Sequence, residues 1–192
     1  MLSTTLHISL AEHRLAQRLA QLRLERNWSL EALADLTGIS RASLSRIERA
    51  ETSPTASLLN RLCIAWGLTL SRLLSGVDEE GPVHLRPAAQ NVWCDRQSGF
   101  ERRSVSPPAT GFLGELVEAR LKAGALINYD APPVAGIEQH LWILDGVLLF
   151  NMNDRQWRLE AGDSLRFHLS GRSSFHAPEA EGAHYALVVC RA

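Results

Sequence analysis

Apolar residues in the first third of the chain recur at three- and four-residue intervals. Leu15, Leu19 and Leu22 form one stripe, and Leu33, Leu36, Ile39, Leu44 and Ile47 a second. Leu58, Leu59, Leu62 and Ala65 form a third, and Leu70, Leu73 and Leu74 a fourth. This is the period of amphipathic helices. The punctuation agrees with it. Ser29 and Ser40 stand where a hydroxyl accepts from free N–H groups at a helix start. Gly38 and Gly67 stand where a left-handed residue closes a helix. Ser9, with Glu12 three residues on, reads as a capping box opening the first helix, and Ser53-Pro54 reads as the opening of the fourth. The pattern predicts five helices over residues 9–75.

Gly, Pro and three acids, Asp78-Glu79-Glu80, break the pattern over 76–82 and predict a linker. Beyond it the periodicity changes. Val83-His84-Leu85, Glu115 to Leu121, His140 to Leu144, Val147 to Phe150, Ser164 to His168 and Tyr185 to Val189 are short apolar runs. Turn residues separate them at Lys122-Ala123-Gly124, Asp145-Gly146, Asn153-Asp154 and Ala161-Gly162-Asp163. Regularly spaced short strands predict an all-β sandwich or barrel over residues 83–192. The fold class is therefore a helical bundle followed by an all-β domain.

The second and third helices form a helix-turn-helix. Leu33, Leu36, Ile39, Leu44 and Ile47 share a buried face, while Arg41, Ala42, Ser43, Ser45 and Arg46 point elsewhere, on the face a DNA major groove would meet. Residues 14–74 resemble the Cro and phage-repressor type, the XRE family. The likeness rests on Leu22-Arg23, Leu33-Ala34, Thr37-Gly38-Ile39-Ser40, Leu44 to Arg49, Ser53-Pro54 and Leu68 to Leu74. The resemblance implies a sequence-specific, dimeric DNA-binding regulator. It also implies an ion pair between Arg23 and Glu48 and a DNA-facing set of Ser29, Ser40, Arg41, Ala42, Ser43, Ser45 and Arg46. One position departs from the family: Leu30 stands where a Gln usually supports a phosphate contact, which transfers that role to Ser29 or Arg26.

Charge sharpens this picture. A net charge of −1 over 192 residues is not that of a nucleic-acid binder. Residues 1–77, however, carry nine arginines against six acids, and the remainder is net −4. A basic head on an acidic body suits DNA binding by the first domain alone. Three cysteines, Cys63, Cys94 and Cys190, without CxxC spacing read as reduced thiols, with Cys63 and Cys190 in the core. The chain opens without a charged and apolar leader and has no membrane-length apolar window, so the expectation is a cytoplasmic protein with no membrane partner.

The β domain resembles a cupin, a double-stranded jelly roll, with its core over 112–190. The likeness rests on Trp142 to Gly146 with the strand after it, and on Leu159 to Ser164 with the next strand. Cupin enzymes bring three His and one Glu onto a metal. Carried onto this chain, the Glu position is Gln139, the first two His positions are near Asp130 and Pro132, and the last His position is Ser173. Every expected ligand is replaced, so the resemblance implies no metal, no cofactor and no catalytic residue, although His140, His168, His176 and His184 lie nearby. Ser174, Cys94 and His176 offer a nucleophile and a base, but nothing orients them.

Strand alternation places Gln139, Leu141 and Ile143 on one face and His140, Trp142 and Leu144 on the other; the cupin resemblance implies that Gln139 faces inward, and Leu141 and Ile143 follow it. Arg166 and His168 share a face, as do Ser173 and Phe175. Gln139, Leu141, Ile143, Arg166, His168, Ser173 and Phe175 are thus the expected lining of a pocket for a small organic effector. Two readings compete with this sensor. In one, the barrel is only a dimerisation body for a constitutive DNA binder. In the other, the protein is a metal-dependent cupin enzyme carrying a DNA-binding head.

Overall fold

The computed structural model describes residues 2–75, 83–178 and 180–191, with side chains from residue 12 to 190 of those ranges. The expected linker, 76–82, lies outside the described residues. Five helices come first: α1 (Leu2–Glu25), α2 (Leu30–Thr37), α3 (Arg41–Glu48), α4 (Ala56–Trp66) and α5 (Leu70–Ser75). Ser29 and Ser40 cap α2 and α3, and Gly38 closes α2 in the left-handed region with φ 63°. Leu15, Leu19, Leu33, Leu44, Ile47, Leu59, Leu62 and Leu73 are buried together.

Four boundary details differ from the pattern. Helix α1 begins at Leu2 rather than Ser9, because neither Gly nor Pro interrupts the residues before Ser9 and serine is tolerated inside a helix. Glu12 accepts instead from the Ser53 hydroxyl at 3.3 Å. Helix α4 begins at Ala56, capped by Thr55 rather than opened by Ser53-Pro54. Leu36 is 58% exposed; four residues after Leu33 the inward position falls to Thr37, whose hydroxyl donates to the Leu33 carbonyl at 2.6 Å.

Nine strands follow: β1 (Val92–Asp95), β2 (Phe100–Ser106), β3 (Gly114–Leu121), β4 (Leu126–Tyr129), β5 (Ile137–Met152), β6 (Arg155–Glu160), β7 (Ser164–His168), β8 (Ser173–His176) and β9 (Ala183–Arg191). All pairings are antiparallel. The order β1-β2-β3-β9-β5-β8-β4, with β6 and β7 also on β5, curls into a cupin-type half-barrel. Val83-His84-Leu85 forms no strand: Val83 and His84 are both exposed, so the run buries too little apolar surface to hold one. Asp145-Gly146 is not a turn either. The two runs around it are one strand, β5, which pairs β9 and β7 in its first half and β6 and β8 in its second. The register slips between Ile143 and Asp145, and Gly146 there has φ 74°.

The two domains pack against each other, and their buried apolar residues form one continuous cluster. Asp95 at the end of β1 accepts from the Ala56 amide at 2.8 Å, so the barrel helps cap α4. The Asn60 amide of α4 donates to the Ala131 carbonyl at 3.0 Å. The Arg102 guanidinium on β2 donates to the Ser71 hydroxyl of α5 at 2.6 Å.

Candidate nucleic-acid interface and barrel cavity

The turn between α2 and α3 sets up the first site. Gly38 reverses the chain, and Ser40 accepts from the Ser43 amide at 3.2 Å. With Leu44 and Ile47 buried, Arg41, Ala42 and Arg46 are left exposed and Ser43 and Ser45 half-exposed. The Arg41 side chain is 69% exposed and lies 3.7 Å from Glu31 on α2. Ser29 and Ser40 are exposed at the two helix starts that meet this face. All seven expected residues therefore lie on or beside the exposed side of the helix pair. Arg26 is partly withdrawn: it donates to the Trp66 carbonyl at 3.3 Å and stacks on the Trp28 ring.

Two features hold this face in place. Arg23 meets Glu48 through paired bonds of 2.7 and 2.8 Å, and its third arm donates to the Trp28 carbonyl at 2.8 Å. The pair ties α1 to the end of α3, and the Glu48 bond raises the Arg23 pKa. Such a bidentate pair specifies geometry more than it adds stability. Arg49, absent from the expected set, donates to the Ser45 hydroxyl at 2.6 Å and pairs with Glu51 at 2.7 Å. Its spacing of four from Ser45 was the available signal.

The second site is a cavity of about 90 Å³ inside the barrel mouth. Gln139, Ser173 and Phe175 line it, as expected of them. Leu141 and Ile143 are buried but lie in the packed core beyond it. Arg166 and His168 are exposed on the outer surface. The register gives the reason. Gln139 pairs with Phe167, so Arg166 and His168 fall beside the outward His140 and Glu138. There Glu138 lies 2.6 Å from His140 and 3.5 Å from His168. Among the described residues no three His, Cys, Asp or Glu side chains converge on a point that holds a metal ion.

Sequence reasoning missed most of the cavity wall. Arg102, Tyr129 and Tyr185 line it from the sheet, Asn60 from α4, Ser71 from α5 and Thr69 from the residue just before α5. Arg102 was not legible, because β2 has no apolar run to mark it as a strand; once β2 is formed, period two puts Arg102 in phase with the inward Phe100. The contributors from the helical domain were not legible either, because no local pattern says which loop closes a barrel. Arg102 is 6% exposed, and burial pulls its pKa below the ordinary 12.5 while the Glu115 carboxylate acts in the opposite direction. Burial likewise raises the Tyr185 phenol above its ordinary range.

A helix-turn-helix with an exposed basic recognition face, packed on a cupin barrel, defines a DNA-binding transcriptional regulator. The helix-turn-helix family HTH_3 matches residues 19–73. The Escherichia coli HTH-type transcriptional regulator PuuR is 34% identical over 163 residues, covering 83% of this chain and 85% of that protein. The E. coli HTH-type transcriptional regulator SutR is 29% identical over 153 residues, covering 80% and 81%. A crystal structure of an HTH_3 family transcriptional regulator from Vibrio cholerae shares the fold, with TM-score 0.76, 22% identity and coverage of 96% and 98%. The chain belongs to the HTH-type transcriptional regulators of the XRE type, with a C-terminal cupin domain. Among the described residues no helix is long and apolar enough to cross a membrane.

Proposed function

We propose that this regulator binds a double-stranded DNA operator as a cytoplasmic homodimer, and that a small organic effector in the cavity tunes that binding without a metal or cofactor. The observation that carries this reading is the shared wall: Asn60, Thr69 and Ser71 of the DNA-binding domain face the same cavity as Gln139 and Ser173 of the barrel. A molecule held there touches both domains, so its affinity depends on how they sit together. That dependence is what a ligand needs to shift a conformational equilibrium. A coupling of about 1–3 kcal/mol is ordinary for such switches.

On the DNA side, Arg41, Ser43 and Arg46 contact base edges or neighbouring phosphates, Ser29, Ser40 and Ser45 position the backbone, and Ala42 permits close approach. Two half-sites are needed, because one eight-residue helix buries too little surface for specific affinity. Exposed Trp142 and Leu144 on β5 support the barrel as the dimerising body. They equally favour the second reading, a constitutive regulator whose barrel only dimerises.

Filling the cavity separates the two. Ser173→Trp in the full-length protein is expected to hold operator affinity at one value whatever metabolite extract is added, while the wild type responds. Gel-shift titrations with and without extract measure this. A wild type that never responds to any extract leaves the constitutive reading standing.

A further inference from the structure

Resting on that sensor reading, we propose that the effector is a small amino acid, its carboxylate on Arg102 and its ammonium on Gln139. The cavity wall contains two deeply buried polar groups with unfilled valences. Arg102 Nη2 donates to Ser71, but Nη1 has no hydrogen-bond partner. Gln139 is 9% exposed and its Oε1 likewise has no partner. Buried polar atoms are nearly always satisfied, and a guanidinium left half-bonded away from water is costly. One of these atoms is a cationic donor and the other an acceptor. The molecule that satisfies both has an anionic acceptor at one point and a donor at another.

The surroundings narrow the class. A guanidinium N–H beside an already bonded one is the usual partner of a carboxylate. Glu115 stands in one row with Val189 and Gln139 across β3, β9 and β5, and its Oε2 is also buried without a partner. Thr69, on the cavity wall, lies 3.5 Å from its Oε1. A second acceptor in that row favours a group with several N–H donors near Gln139, as an ammonium has, over a single hydroxyl. Between the polar ends the wall is apolar, with Phe100, Val117, Phe175 and Leu187. A cavity of about 150 Å³ holds a benzene ring of six heavy atoms, so about 90 Å³ encloses about four. A short amino acid fits with one end enclosed and the other in the barrel mouth. The carboxylate on Arg102 would lie next to Ser71, which places the recognised charge at the junction with α5.

Isothermal calorimetry on the full-length protein tests this with L-alanine, L-valine, β-alanine and 4-aminobutanoate. The matched half-molecules are 3-methylbutanoate and isobutylamine for valine, and butanoate and propylamine for 4-aminobutanoate. At least one amino acid is expected to bind, at least tenfold more tightly than either of its halves. Gln139→Leu is expected to lose that binding and keep its thermal melting transition. Arg102→Met is expected to lose it as well, and Gln139→Leu carries the test if Arg102→Met does not fold. The proposal is overturned if a half-molecule binds as tightly as its parent, or if no amino acid binds at 10 mM. A neutral compound or a diamine that binds the wild type but not Ser173→Trp overturns the amino-acid assignment and leaves the sensor reading intact. Absence of any cavity ligand overturns both.

Discussion

Arg41 and Arg46 extend from the exposed side of α3 with their charges in solvent, and Arg41 lies 3.7 Å from the exposed Glu31. Surface pairs of this kind are weak, so a base or phosphate reaching Arg41 would displace Glu31 at little cost. If Arg41 reads a guanine edge, Arg41→Ala weakens binding to a selected operator by about 1–3 kcal/mol and relaxes preference at one base pair. If Arg46 holds a phosphate, Arg46→Ala weakens all sequences alike and lowers the salt dependence. Fluorescence anisotropy over a salt series distinguishes the two. Wild-type affinity in both variants would remove α3 from the interface.

Acid sensitivity also belongs to single residues. Partial burial raises the Glu118 pKa, but bonds from His184 at 2.8 Å and Arg120 at 2.7 Å, with the Arg103 charge, bring it below the ordinary 4.5. A depressed carboxylate contributes stability above its unfolded pKa and loses it as pH falls through the folded one. Wild type is therefore expected to be more stable than Glu118→Gln at pH 7, with a smaller difference at pH 3, where more of the carboxylate is protonated. Urea denaturation at both pH values checks this.

Among the elements, β5 decides the shape of the barrel. Its sixteen residues serve both halves of the sheet, and the bend between them sits at Asp145-Gly146. Gly146 has φ 74°, and a Cβ there would collide with the carbonyl of Gly182 at the entry to β9. Left-handed backbone alone costs a non-glycine residue about 1–2 kcal/mol, and the collision adds to it. Gly146→Ala is expected to lower stability by about 2 kcal/mol or more, read as a shifted urea midpoint. Asp-Gly favours positive φ in a tight turn and in a bulge alike. The sequence therefore located the irregularity without saying that the strand continues through it. Five strands escaped prediction for a related reason. The β2 stretch carries Glu101, Arg102 and Arg103, and only pairing with β1 and β3 makes it a strand.

At the scale of the whole molecule, the outer face of β5 exposes Trp142 by 54% and Leu144 by 36%, beside the pairings to Ser164 and Ala186. Large apolar side chains together on a surface mark an interaction site. If this face joins two copies, Trp142→Glu gives a monomer in light scattering. It then binds a two-half-site operator at least about tenfold more weakly, because each recognition helix acts alone. A dimer that survives this substitution places the interface elsewhere.

The thiols show the limit of reading burial from a strand or helix pattern. Cys63 is fully buried in α4 and its pKa is pushed up to about 12, as its apolar helical position implied. Cys190 is only partly buried near the end of β9, because alternation in a terminal strand does not say what covers it.

Most of the helix-turn-helix was legible because its determinants, capping serines, a left-handed glycine and a period of 3.6, are local. Leu36 was not, because the stripe alone does not say which of two adjacent positions turns inward, and the Arg23–Glu48 pair was legible only through the family resemblance. The inward phase of Gln139, Ser173 and Phe175 was legible through the cupin resemblance, which puts Gln139 and Ser173 at inward ligand positions, with alternation carrying Phe175 along. The phase of Arg166 and His168 was not, because it is set by register against β5. The cavity belongs wholly to the tertiary structure. Its closure by Asn60, Thr69 and Ser71 joins residues more than 60 positions apart from Gln139, and only packing of one domain on the other brings them together.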